Sequence, residues 1–145
     1  MKRFSLTCIA LLLGSPCVAF CDDAPKDETK VDGTWLATKA EMSGKKLPKK
    51  VTESLKLTLK KGEYEVVAES PDRGTVTYNN SPDPKEMDIK GTEGPNKGKT
   101  YLAIYELKDD KLTICYDLSG EARPTEFKTK PDTKLFLVTY ERKKP

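Results

Sequence analysis

Leu55, Leu57 and Leu59 alternate with Lys56 and Thr58, and a two-residue beat of this kind returns along the chain from Gly33 to Arg142. Apolar residues at every second position put one face of an extended strand in a core and the other in water. The beat is cut into short lengths, at roughly 8–12 residue spacing, by stretches with turn chemistry. Ser43-Gly44-Lys45-Lys46, Lys60-Lys61-Gly62-Glu63, Ser70 to Gly74, Lys108-Asp109-Asp110-Lys111 and Pro131-Asp132-Thr133 are the clearest of them. No long segment carries the helical period, and strands do not alternate with helices, which argues against an α/β fold. The pattern predicts an all-β fold, a small antiparallel meander barrel of about eight or nine strands, whose closure removes exposed strand edges.

The strands are expected at Gly33 to Met42, Leu55 to Leu59, Tyr64 to Ala68, Thr75 to Tyr78, Met87 to Ile89, Tyr101 to Leu107, Leu112 to Leu118, Thr125 to Lys128 and Lys134 to Arg142. Pro82 and Pro84 keep Asn79 to Lys85 out of a strand, and Gly91 to Lys99 reads as a glycine-rich loop. Pro48 suits a first helical position, and Val51 and Leu55 would share a face. A short helix at Pro48 to Ser54, after the first strand, is placed to lid one end of a barrel.

The first residues read differently. Lys2 and Arg3 precede a mostly apolar run, Phe4 to Gly14, and Cys17 and Ala19 stand in the −3 and −1 places of a cut after Ala19. Residues 1–19 are expected to be a signal peptide, with a cut after Cys21 as the alternative. The run is shorter than the roughly 20 residues a membrane span takes, and neither Cys17 nor Cys21 follows the small residue that lipidation wants. Residues 20–31 make a charged leader, 32–142 one barrel domain, and 143–145 a tail. Export would place the protein in the periplasm, cell envelope or extracellular space, peripheral to or free of the membrane. A disulfide between Cys21 and Cys115 is open in an oxidising compartment; a buried free thiol at Cys115 is the simpler expectation.

Several kinds of chemistry are missing. The chain has 26 basic and 23 acidic residues and no histidine. Lys2 and Arg3 belong to the signal, so the remainder is close to neutral, and no basic excess argues for nucleic acid. A Ser or Cys nucleophile would have no imidazole base, and zinc would find neither His nor clustered Cys. Gly94-Pro95-Asn96-Lys97-Gly98-Lys99-Thr100 misses the phosphate-loop spacing by one residue and runs into a strand, where a phosphate loop must open a helix. No cofactor and no metal are expected. An enzyme working through a carboxylate pair is a third-rank reading, since no pair stands out.

Gly33-Thr34-Trp35 opens the first strand. Gly33 lets a large group approach the backbone, and Trp35 is a broad apolar plug with one N–H donor. In lipocalin-like barrels a Gly-x-Trp begins the first strand and a basic residue after the last strand lies over the indole; Trp35 and Arg142 resemble that structural pair. An Arg on the ring adds roughly 0.5–2 kcal/mol. Further phrases go with it: Ala40-Glu41-Met42, Gly44-Lys45, Leu47-Pro48, Thr92 to Thr100, Ile104-Tyr105-Glu106-Leu107, Cys115-Tyr116 and Arg123-Pro124-Thr125-Glu126-Phe127. Together, over about residues 31 to 142, the chain resembles a family of small exported, lipocalin-like domain proteins greatly expanded in planctomycete bacteria. That resemblance implies a lipocalin/calycin-like barrel. The family has no assigned activity, so no site residue carries over.

The functional expectation is a monomeric barrel that binds a small, largely apolar molecule. Tyr101 to Leu107 and Leu135 to Tyr140 are apolar on both faces, and surplus apolar positions can line a cavity. Leu57, Tyr64 and Val66 from the early strands, and Leu102, Ile104, Ile114 and Leu137 from the later ones, are the candidates. The alternative is an envelope-protein interaction module without a ligand, acting through loops such as Gly94, Pro95, Asn96, Lys97, Gly98 and Lys99.

Overall fold

The structure, a computed structural model, describes residues 30–68 and 70–145. The expected signal peptide, its cut and Cys21 lie outside the described residues. The element order is β1 Gly33–Met42, β2 Lys45–Lys46, α1 Lys49–Ser54, β3 Lys56–Lys60, β4 Glu63–Val67, β5 Asp72–Asn79, β6 Lys85–Glu93, β7 Thr100–Lys108, β8 Lys111–Asp117 and β9 Leu135–Arg142. From β3 onward each strand pairs antiparallel with the next, and β1 pairs with both β3 and β9. Eight strands therefore close a barrel. β2 stands outside the ring, paired only with Glu41 and Met42 at the end of β1. This is the meander barrel that the two-residue beat predicts, with its short helix after the first strand.

The beat also sets the inside and the outside. Leu57 and Leu59 of β3 pair with Val66 and Tyr64 of β4, all facing inward. Lys56, Thr58, Glu63 and Glu65 face out. An apolar interior and a charged exterior are opposite in sense to a barrel that faces lipid.

Several expectations about elements change. Lys45 and Lys46, expected within a turn, form β2, and Asn79 and Lys85, expected outside any strand, end β5 and open β6. Asp72 to Gly74 do not turn; they begin β5. Gly91 to Glu93 finish β6 and are not yet loop. Thr125 to Lys128 form no strand; they belong to a long connection, 118–134, that crosses the outside of the barrel. Arg123 ties that connection to β6 and β7 through Asp88 Oδ1 at 2.5 Å and the Ala103 carbonyl at 2.8 Å. Further on, the Lys128 carbonyl accepts from Cys115 Sγ, and Thr129 Oγ1 donates to Glu41 of β1. With its backbone clipped to the barrel surface at these points, the segment covers a sheet that is already complete.

The two ends of the barrel differ. At the floor, Trp35 is fully buried and donates its indole N–H to the Val31 carbonyl at 2.9 Å. Arg142 lies over the ring, its guanidinium carbon 4.2 Å from the centroid. The same guanidinium donates to the carbonyls of Lys30 and Asp32 at 2.7 Å each and to Asp110 Oδ1 at 3.2 Å. Gly33 is what lets it through: its φ is +143°, and a Cβ there would sit 2.6 Å from Arg142 Nη1. The expected pairing of Trp35 with Arg142 is thus present as a stacked plug. The other end carries α1, the β4–β5 and β6–β7 connections, and the start of the 118–134 segment.

Candidate functional site

The barrel is not filled to the top. Above the Trp35 floor is a cavity of about 500 Å³ that opens at the helix end, within the range of roughly 300–1,000 Å³ in which small molecules are held. Its walls come from almost every strand. Leu57, Leu59, Val66, Val76, Ile89 and Ile114 supply aliphatic surface. α1 lies beside the mouth without closing it. Thr52 turns down and is buried, while Val51, 44% exposed, and Leu55 border the opening.

One wall is polar. Asp72, the first residue of β5, points inward and is only 7% exposed. Its Oδ2 accepts from Tyr64 OH at 3.0 Å and from Asn96 Nδ2 at 2.7 Å; its Oδ1 accepts from the Asn96 backbone N–H at 3.2 Å. Tyr101 OH donates to Asn96 Oδ1 at 2.7 Å, which leaves the amide NH₂ for Asp72. The loop can lie this close because Gly91 carries no Cβ; one placed there would be 2.0 Å from the Asn96 carbonyl oxygen. Burial, and after it the Asp72 charge, pushes the Tyr64 and Tyr101 hydroxyls above the usual tyrosine range, so both stay protonated donors. Deeper in, burial raises Tyr140 to about 12, and burial together with Tyr140 holds Tyr116 well above its ordinary value. Tyr116 stacks on Phe136 at 5.9 Å between centroids.

The expected lining residues divide by strand face. Leu57, Tyr64, Val66 and Ile114 line the cavity. Leu102, Ile104 and Leu137 do not. On β7 the inward residues are Tyr101, Ala103 and Tyr105, which places Leu102 and Ile104 outside. On β9 Phe136 and Val138 face in, so Leu137 faces out, paired with Cys115. Ile104 is nonetheless 1% exposed, because the 118–134 segment lies over it. A strand buried on both faces carries no mark in its own sequence of which face is the interior. Of the loop residues, Pro95 and Asn96 border the cavity; Gly94, Lys97, Gly98 and Lys99 do not line it. The loop is folded back on β6, with Gly91 N–H bonded to the Lys99 carbonyl and Gly98 N–H to that of Gly91.

Sequence reasoning missed Asp72, Tyr101 and Tyr116 as lining residues. Asp72 was hidden by Ser70-Pro71-Asp72-Arg73-Gly74, which has turn composition. The signal available was the beat itself: Asp72 is in phase with Gly74, Val76 and Tyr78. Cys115 is a buried free thiol whose pKa burial lifts to about 11. Among the described residues no group of three or more His, Cys, Asp or Glu side chains gathers as a metal site, and no helix is long and apolar enough to cross a membrane. A second concavity of about 500 Å³ lies under the 118–134 segment, lined by polar residues such as Ser119, Glu126, Lys128 and Lys134. Comparison with protein-family models, with curated proteins and with solved structures finds no match.

Proposed function

We propose that this protein is an exported binder of a small, largely apolar molecule, held in the barrel above the Trp35 floor. The observation that carries the reading is the open cavity of about 500 Å³ walled mainly by aliphatic and aromatic side chains. Solid packing is the rule for a protein interior, with few voids larger than a water molecule. An open space of this size is what a small-molecule site needs. Export and kinship with the small planctomycete domains belong to the same proposal. They rest on the Lys2 to Ala19 pattern and on the phrases quoted above.

Native mass spectrometry of the protein purified from its own envelope tests this, beside titration with the uncharged dye N-phenyl-1-naphthylamine. The expected outcome is a discrete extra mass that leaves on unfolding, and enhanced, blue-shifted dye fluorescence. A bare mass together with no dye binding overturns the reading.

A second reading, recognition of an envelope protein through the loops, has one observation in its favour. The segment 118–134 is long for a connection without regular structure, and such loops are usually functional. It is pinned to the barrel by Arg123 and Thr129 and presents a polar concavity. Capture from an envelope extract, with Arg123→Ala beside the wild type, tests it; identical partners for both count against it.

A further inference from the structure

One side of the cavity carries a buried carboxylate, Asp72. Among the described residues that line the cavity, Asp72 is the only one with a formal charge, and none is Lys or Arg. A carboxylate this far from water needs partners. Those it has are neutral: one tyrosine hydroxyl, one amide NH₂ and one backbone N–H. A carboxylate offers about four acceptor sites. Two donors reach Oδ2 and one reaches Oδ1, so acceptor capacity remains on Oδ1.

The aromatic part of the lining suits a cation. Tyr64, Tyr101 and Tyr116 all line the same cavity, and aromatic faces attract an ammonium group. The raised hydroxyls of Tyr64 and Tyr101 owe part of their shift to the Asp72 charge, so its field reaches across this wall. A ligand carboxylate would bring a second negative charge into the same poorly hydrated wall, where like charges repel far more than in water. An uncharged alcohol could donate to Asp72 but would leave the charge unbalanced.

We infer that the bound molecule is a lipophilic amine, its hydrocarbon part in the aliphatic half of the barrel and its ammonium nitrogen between Asp72 and the tyrosine rings. This rests on the proposed binding function. It adds the sign of the ligand's charge and the side of the cavity on which that charge sits. Fatty acids, which a basic cavity would take, are disfavoured here.

The test compares decylamine, decanol and decanoate, each below its aggregation limit, as competitors of N-phenyl-1-naphthylamine on the wild-type protein. Decylamine is expected to bind at least about tenfold tighter than decanol, the scale of one hydrogen bond to a charged group, with decanoate weakest. In Asp72→Asn, checked for folding by circular dichroism, decylamine should lose its advantage over decanol. If that variant does not fold, the wild-type ranking decides alone. Equal binding of the three, or decanoate as the tightest, overturns the inference while leaving an apolar-ligand binder. Failure of the dye and of all three competitors overturns the binder itself.

Discussion

Arg142 meets the Trp35 ring, two backbone carbonyls and the Asp110 carboxylate with one guanidinium. Arg142→Ala removes the cation over the indole and leaves the carbonyls of Lys30 and Asp32 without that donor. A loss of about 1–3 kcal/mol is expected in urea unfolding. Arg142→Lys keeps the charge but not the planar fork, and should fall between the two. An unchanged midpoint in both variants would mean that the floor does not depend on this residue. Cys115 gives a second prediction. Its thiol is fully buried and lifted to about 11, first of all by burial. At pH 8 it should be inert to a disulfide reagent in the folded protein and react on unfolding in guanidinium, with peptide mapping to separate it from the N-terminal cysteines. Fast labelling of Cys115 in the native protein would contradict the packing described. The floor pair was legible in the sequence through its resemblance to the Gly-x-Trp and late basic residue of lipocalin-like barrels. Asp72 was not, since an Asp beside Pro and Gly is the usual mark of a turn and gives no sign that its carboxylate is buried.

At the scale of elements, the 118–134 connection is held at its start by Asp117. Burial alone would raise this carboxyl. The donors Ser119 Oγ, at 2.6 Å, and Ala122 N–H, at 2.8 Å, outweigh burial and hold it below its usual value. A carboxyl lowered in the folded state stabilises above its unfolded pKa, near 3.9, and loses that contribution as the pH falls through the folded value. Asp117→Asn should therefore lower the melting temperature at pH 7, and the gap to wild type should close as the solution is acidified through the carboxyl range. A gap independent of pH would assign the loss to shape and not to charge. The same connection explains where reading by strand face failed. It covers Ile104 and Cys115 from outside, and β7 and β9 carry apolar residues on both faces, so there the beat that defines the strands cannot tell in from out. On β3 and β4, whose outer faces stay charged, Leu57, Tyr64 and Val66 were placed correctly by alternation alone. The short strand expected at Thr125 to Lys128 does not form; the ring of eight strands is already closed without it.

For the molecule as a whole, the closed ring of eight strands fixes the barrel plan while leaving its filling open. Ring closure follows from the count and spacing of short strands, which the sequence carries plainly. Whether the interior is solid or hollow depends on side-chain volumes summed across strands that are distant in sequence, and no local pattern reports that sum. Val66→Phe tests the hollow directly. The larger side chain projects into space that is empty in the wild type, so dye affinity should fall by at least about tenfold while the unfolding midpoint holds or rises, as cavity-filling changes commonly do. A destabilised variant with undiminished affinity would show that Val66 packs against a filled core. The floor has one more consequence. β1 starts and β9 finishes there, with Trp35 and Arg142 as register partners, so the polypeptide reaches the barrel and departs from it on the side opposite the opening. Tethered through residue 30 or through the tail at 143–145, the barrel would stand with its rim pointing away from its support, and cargo would be exchanged only with whatever approaches from the distal side.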